Sequence, residues 1–533
     1  MKQVKMENFK IIVFLCNWSP HTAYQTLQDH QYDIPSEIKM VRIPCTGRIS
    51  KALLFKAFEM GADGVALVGC KSGTCRYGSG TKNATLNTED TKDILELLGL
   101  GNERMRFSTF LPDQTNSLKK FLESFCSNVK KLGPSPIKPS REDRIGSAPL
   151  KSMREIVKEH NVFACQDCGK CTSSCPLALS GKPYSPRAIA ASIIAEEMDS
   201  DEVQKDIWSC LTCGTCYERC PSDVNFPSFI RDIRGFLSDT GSNECHQTHG
   251  GFFQSLMRSM TFPELKSQRW NNLPEDIQID PKSKILFFGG CAPYFDVFFR
   301  NHLGVKTSNI LTDSLRLLNF FDIQPAILNH ERCCGHDLLW SGDRKNFLKL
   351  AKLTVDSIHD LGIEEVITSC PECFKTISSD YELNGIKPNF KVTHMYEFLE
   401  REIDKASVSF DKFDRQITYQ DSCRMVRQSS IKDFPRKLIK RLLPEGFTEM
   451  MDSGNAALCC GNCAWTGCDA FSKALQSKRI RQAHSTGSDL LVTSCPKCQI
   501  HLRCAMEDPF HGEEFMMEMQ DLTSLIAKTI CWD

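Results

Sequence analysis

With 65 basic and 66 acidic side chains in 533 residues, the chain has no overall field that would draw it to nucleic acid or to an anionic membrane. Its length suggests three or four domains, and 41% apolar with 25% charged residues is ordinary for a globular protein. No apolar run approaches the roughly 20 residues that span a bilayer, and the run at 11–16 is too short for a secretory signal, so a cytoplasmic address is expected. The unusual count is 28 cysteines. In a long chain with no secretory signal, clustered cysteines point to metal ligation ahead of disulfides.

From Phe9 to Leu132 short apolar runs alternate with helical stretches. IIVFLC, KMVRIPC, GVALVGC and RMRFSTF read as buried strands, and SKALLFKAFEMG and SLKKFLESFCSNVKKLG as helices closed by glycine. Residues 1–132 are therefore expected to form an α/β domain, with a parallel sheet. A stretch rich in proline, serine and charge at 133–150 reads as a linker. Residues 151–265 read as an α-helical domain carrying two cysteine runs, and 266–283 as a second linker. From 284 to 533 strands and helices alternate again in an internal duplication. Each CCG, at 333–335 and 459–461, is followed by a helix, a strand ending in TSC, and then CPEC or CPKC. A duplicated α/β domain is expected there.

The helical region contains CQDCGKCTSSCP at 165–176 and CLTCGTCYERCP at 210–221. This is the CxxCxxCxxxCP run of two-cluster ferredoxins, present twice. By that pattern Cys165, Cys168 and Cys171 with Cys220 bind one cubane [4Fe-4S] cluster, and Cys210, Cys213 and Cys216 with Cys175 bind another. Zinc, which also takes four thiolates, is the alternative.

Each half of the duplication offers five cysteines: Cys291, Cys333, Cys334, Cys370 and Cys373 in the first, and Cys423, Cys459, Cys460, Cys495 and Cys498 in the second. Neighbouring side chains on extended backbone point to opposite faces, which makes an adjacent pair awkward for a single metal. Five thiolates suit a cluster whose cube is opened, so that the pair grips different irons. The arrangement resembles the CCG domains of the B-type component of heterodisulfide reductase and its D-type relatives. That resemblance implies a noncubane [4Fe-4S] cluster in each half and cleavage of a disulfide, with the ten cysteines as its catalytic ligands. The first half departs from the family in the long interval between Cys291 and Cys333, and both halves lack the glycine-rich tail often found after CCG. The ferredoxin-like region upstream resembles the C-type component of the same enzyme, and the fusion of the two resembles its D-type component.

Cys16, Cys45, Cys70 and Cys75 fall at or just past the ends of predicted strands, the edge where open α/β sheets gather ligands. Read from the residues alone, they are either cluster ligands or buried free thiols. FLCNWSPHTAY, VRIPCTGRISKALLFKAFEMGADGVALVGC and GTCRYGSGTKNA closely resemble the delta, MvhD-type, subunit of methyl-viologen-reducing hydrogenase, with Ser19 where the family often has a further cysteine. The resemblance implies one [2Fe-2S] cluster on the four thiols, an FAD-containing HdrA-like partner, and a hydrogenase or other dehydrogenase as electron donor. Cys126, Cys245, Cys463, Cys468, Cys504 and Cys531 receive no role. No dinucleotide fingerprint or Walker loop is present, and YGSGTKN lacks both the glycine spacing and a strand–helix–strand setting, so no flavin or nicotinamide site is expected on this chain. His336 reads first as a surface or capping histidine and second as a proton donor. The sum is an oxidoreductase component that passes electrons through cubanes to disulfide-cleaving clusters; the alternative is a relay without catalysis, between a dehydrogenase and another reductase.

Overall fold

The computed structural model describes residues 9–139, 151–200, 202–240, 247–406, 408–442, 446–512 and 515–532. Residues 140–150 of the expected linker, and Cys245, lie outside them. The chain divides into two compact units, Met1–Ile145 with His249–Asn271, and Gly146–Thr248 with Asn272–Asp533. The span 151–265 drawn from the sequence is thus shared between the units.

The first unit is an open α/β sheet of strands β1 (Ile11–Cys16), β2 (Ile38–Ile43), β3 (Gly64–Cys70) and β4 (Met105–Phe110), all parallel, in the order β2-β1-β3-β4. Helices α1 (Ser19–Asp29), α2 (Lys51–Glu59), α3 (Gly80–Leu97) and α4 (Thr115–Leu132) accompany the strands. Every residue of β3 is buried, as a central parallel strand covered on both faces requires. Helix α4 buries Leu118, Leu122, Phe125, Cys126 and Val129, a single 3.6-period stripe, and ends at Gly133 with φ 76°. The segment Phe252–Ser259 is buried against α2: the Phe252 ring meets Phe55 edge-on at 5.4 Å, and Arg258 Nε donates to Glu59 at 2.6 Å. YGSGTKN does occupy a strand–helix–strand unit, between β3 and α3, contrary to the sequence expectation. Its departure from helical spacing hid the start of α3.

The second unit joins the ferredoxin-like region to the duplicated one. Helices Met153–Glu159, Pro186–Ile194 and Phe226–Thr240 frame the two cysteine runs, the first opened by a capping box of Ser152 and Glu155. The duplicated region holds two three-stranded parallel sheets: β5 (Ile285–Phe287), β6 (Glu365–Thr368) and β7 (Lys391–His394) in sequence order, and β8 (Ile417–Tyr419), β9 (Leu490–Thr493) and β10 (Glu518–Asp521) with β9 central. One hydrophobic core runs from Ile156 and Trp208 through Phe229 to Leu475, Leu491 and Leu502, so the ferredoxin-like region and the second half of the duplication are packed as one body.

Asp521 caps the helix Leu522–Thr529, accepting from the Thr523 N–H at 2.9 Å. Burial pushes its carboxyl up to about 7. Its folded value therefore lies above that of the unfolded chain, and the folded form holds the extra proton between roughly pH 4 and 7. Stability of the second unit is expected to fall as pH rises through that window, and Asp521→Asn, which keeps the cap, removes the dependence. Urea denaturation at about pH 5.5 and about pH 8 measures it.

Candidate metal centres

In the first unit the four thiols converge at the C-terminal edge of the sheet. Cys16 and Cys70 end β1 and β3, Cys45 follows β2, and Cys75 lies in the loop before α3. Cys16 Sγ and Cys70 Sγ are 3.7 Å apart. Gly80 shows how closely the other two approach, since a Cβ there would stand 2.6 Å from Cys45 Sγ and 2.8 Å from Cys75 Sγ. Gly47 in turn lets its loop touch Gly80 backbone to backbone. Burial pushes Cys16 up to about 12. Around the half-buried Cys75, N–H groups of Tyr77, Gly80 and Thr81 outweigh burial and pull the thiol below its ordinary value.

The two ferredoxin-like runs share one backbone design. Asp167 and Thr212, each before the second cysteine, and Gly169 and Gly214, each after it, have positive φ, and Pro176 and Pro221 follow the fourth cysteine. The fourth cysteines cross over. Cys220 lines a cavity with Cys165, Cys168 and Cys171, which Cys216 also borders, whereas Cys175 lies near Cys213 and Cys210, and Cys216 near Cys213, Cys210, Cys175 and Cys171. Thr212 N–H points at Cys210 Sγ and Val224 N–H at Cys220 Sγ, both at 3.4 Å.

In the duplicated region each quintet is a continuous chain of touching thiols, connected in the same order. In the first half Cys291 meets Cys333 at 2.9 Å, Cys333 meets Cys334, Cys334 meets Cys373, and Cys373 meets Cys370. In the second, Cys423 meets Cys459, Cys459 meets Cys460, Cys460 meets Cys498, and Cys498 meets Cys495. The third letter of CCG has a steric reason: Gly335 has φ 85° and Gly461 φ 95°, and a Cβ at either would lie within 3 Å of Phe347 or of Gln476 and Ser472. These donor sets fit iron–sulfur ligation. Thiols converge in fours and fives, glycines leave room beside the sulfur atoms, and backbone N–H groups are aimed at sulfur.

Sequence reasoning missed the charged side chains that join these sites. Arg424, directly after Cys423 and 1% exposed, donates from Nε to His336 Nε2 at 3.1 Å, from Nη1 to Thr212 O at 3.0 Å and from Nη2 to Thr212 Oγ1 and Cys463 Sγ, both at 3.0 Å. Its guanidinium lies 3.9 Å from the centre of the Trp340 ring. Burial opposes that charge, but Cys463, Cys423 and Glu372 hold it firmly protonated. Arg427 donates to Cys213 O at 2.7 Å and to Ala457 O at 2.9 Å, and Arg234 to Cys210 O at 2.7 Å. The loop Cys210–Cys213 is thereby clasped between the segment that starts with Cys423 and the helix Phe226–Thr240. His336 is neither a surface residue nor a cap. It is 2% exposed, its Nε2 accepts from Arg424, and its Nδ1 therefore donates to Asp337 at 2.9 Å. The expectation of a surface or capping histidine was overridden by packing of Trp340 and Arg424 around it.

Lys497 lies in CPKC where the first half has Glu372 in CPEC, and the two pair at 2.6 Å with Asp337 as the second carboxylate on Lys497. Burial alone would strip the proton from Lys497; Asp337 and Glu372 instead raise its pKa. Beside it His501, held at about 3 by burial and by Lys497, faces Cys460 Sγ with Nδ1 at 3.3 Å. Cys463, left without a role by its sequence position, thus contacts Arg424 and Thr212 Oγ1 at 3.0 Å. Cys504 Sγ lies 2.9 Å from Lys473 Nζ.

The chain matches three family models. The model of the methyl-viologen-reducing hydrogenase delta subunit spans residues 11–133, that of a 4Fe-4S dicluster domain 126–224, and that of a cysteine-rich domain both 285–378 and 417–503. The D subunit of a dihydromethanophenazine:CoB–CoM heterodisulfide reductase from Methanosarcina acetivorans is 26% identical over 400 residues, 69% of this chain and 93% of the relative. The B subunit of a fumarate reductase (CoM/CoB) from Methanothermobacter marburgensis is 22% identical over 515 residues, 93% of this chain and 95% of the relative. The iron–sulfur D subunit of the F420-non-reducing vhu hydrogenase from Methanocaldococcus jannaschii is 30% identical over 128 residues, 24% of this chain and 96% of the relative. Among the described residues no helix is long and apolar enough to cross a membrane.

Proposed function

We propose, from the premise that the chain belongs to the family of the methyl-viologen-reducing hydrogenase delta subunit through residues 11–133 and is a heterodisulfide reductase-like iron–sulfur protein beyond them, that it reduces a disulfide with electrons received from a partner. In this reading Cys16, Cys45, Cys70 and Cys75 hold a [2Fe-2S] cluster. Cys165, Cys168, Cys171 and Cys220 hold one cubane [4Fe-4S], and Cys175, Cys210, Cys213 and Cys216 the other. The two quintets hold noncubane [4Fe-4S] clusters. When bound, these groups supply one-electron transfer and, at the quintets, cleavage of the S–S bond. The partners are an FAD-containing HdrA-like protein and a hydrogenase or other dehydrogenase.

The single observation that carries the reading is the identical order of the four contacts that link the five thiols of each quintet. A half that had decayed into a spacer would not keep five thiols in register, most of them buried. The protein's own residues prepare the space around them. Arg424 fixes the His336 tautomer, and Lys497, paired with Asp337 and Glu372, keeps those two carboxylates compensated in the wall of the cavity that Cys291, Cys334 and Cys370 line. The test supplies reduced methyl viologen to anaerobic protein and assays thiol release from the coenzyme M–coenzyme B heterodisulfide. Release is expected, with at least a ~100-fold loss in Cys334→Ser and in Cys460→Ser, each accompanied by lower iron content.

A relay without catalysis is the second reading, favoured by the relative that matches along 93% of this chain and is named for fumarate reduction. Thiol release absent from every disulfide tried, in protein with full iron and sulfide, would select the relay.

A further inference from the structure

The edge of the first unit that carries the four thiols has an uneven distribution of charge. Arg42, at the end of β2, and Arg48, Lys71, Arg76 and Lys82, in the loops and first turn beyond the strands, are all exposed. None has a carboxylate partner among the described residues: Arg42 donates to Asn17, Arg48 lies 5.9 Å from the Tyr77 ring centre, and Arg76 lies 4.1 Å from that of Trp18. The segments 17–21, 44–50, 71–79 and 111–114 at this edge contain one acidic residue, Asp113. The excess is local, because the whole chain has 65 basic and 66 acidic side chains.

Within this rim the thiols are not equally hidden. Cys16, Cys45 and Cys70 are buried, while Cys75 is half-exposed, between Thr74 and Arg76. Trp18 and Tyr77 meet edge-on at 6.4 Å beside it, and Tyr77 is 47% exposed. An exposed aromatic inside a ring of unpaired cations is the composition of a polar, transient protein contact, in which charge sets the encounter and a small apolar centre sets the fit.

We propose that this edge is the docking face for an acidic electron-carrier protein, with the five cations supplying complementary charge and the Trp18–Tyr77 pair the apolar contact. The inference rests on the reading that the four thiols hold a [2Fe-2S] cluster. It adds which face meets the carrier, through which corner, and the sign of the carrier's charge. Arg and Lys around the least covered thiol bring an acidic partner to the cluster's most accessible side, and long-range attraction raises the encounter rate in a salt-sensitive way.

The experiment uses the full chain, purified anaerobically with its clusters, and a reduced two-cluster bacterial ferredoxin as the acidic probe, followed by stopped-flow visible bleaching. The second-order rate is expected to fall about tenfold between about 0.05 and 0.5 M salt. R48E/K82E is expected to lower the low-salt rate about tenfold and to flatten its salt dependence, by the same electrostatic argument. K39E/K131E, at the opposite edge of the sheet, is expected to leave the rate unchanged, and reduction by methyl viologen is not slowed in either variant. A salt-independent rate, an undiminished rate in R48E/K82E, or an equal loss in K39E/K131E overturns the docking face. Iron content and the [2Fe-2S] EPR signal are measured on every sample. Their absence from the parent protein overturns the reading of the thiols and the docking face with it, whereas their presence with an undiminished R48E/K82E rate overturns the docking face alone.

Discussion

Arg424→Met is expected to destabilise the second unit by about 3–5 kcal/mol and to lower the proposed disulfide-reducing activity about 10–100-fold. The guanidinium is fully enclosed, and its donors serve Thr212 O, Thr212 Oγ1, Cys463 Sγ, His336 Nε2 and Gln428 Oε1. Methionine fills much of the volume but leaves those acceptors facing apolar surface. The activity loss follows from position. Thr212 lies inside the Cys210–Cys213 loop, His336 two residues beyond Cys334, and Arg424 itself next to Cys423, so one side chain sets the relative placement of three thiol sites. Arg424→Lys is expected to recover part of the stability and little of the activity, because an ammonium cannot fork between Thr212 and His336. Anaerobic urea denaturation, with near-ultraviolet dichroism from Trp340 and Trp208 as reporter, measures the first effect, and viologen-driven thiol release the second. An Arg424→Met protein that matches the parent in both would show that the hub is ornamental.

Lys497→Met is expected to cost a similar 3–5 kcal/mol, since it strands Asp337 and Glu372, both buried, without their shared cation. Glu372 and Lys497 occupy the same position of CPEC and CPKC and pair across the two halves. A double variant, Lys497→Met with Glu372→Gln, is expected to be less destabilised than the sum of the two singles by about 1–3 kcal/mol. Strict additivity would mean that the two residues act separately. The same comparison of iron content across the four proteins shows whether the pair also holds the quintets, because Glu372 precedes Cys373 and Lys497 precedes Cys498.

Much of this arrangement was legible in local sequence. GVALVGC and IIVFLC became β3 and β1 residue for residue, since a continuous apolar run between turn residues has one low-energy use in an α/β domain. The glycines of CCG and of each CxxCGxC occupy left-handed backbone that other residues rarely adopt, so their identity and their geometry are the same information. Helix α3 was missed because its first turns, GTKNATLN, carry too few apolar residues to show a helical stripe. The segment Phe252–Ser259 gave no sign of belonging with the first unit, because its partners, Phe55 and Glu59, are nearly two hundred residues away.

Spacing along the chain was enough to group the cysteines into the sets that the fold brings together, and to mark the glycines on whose left-handed backbone several of them are presented. Those properties are set over a few residues, by Cβ sterics and the alternation of apolar side chains. Tertiary structure alone decided that His336 is enclosed, that Arg424 reaches three thiol sites, and that Glu372 and Lys497 neutralise each other. A buried charge is tolerable only beside a partner, and these partners come from segments brought together by folding.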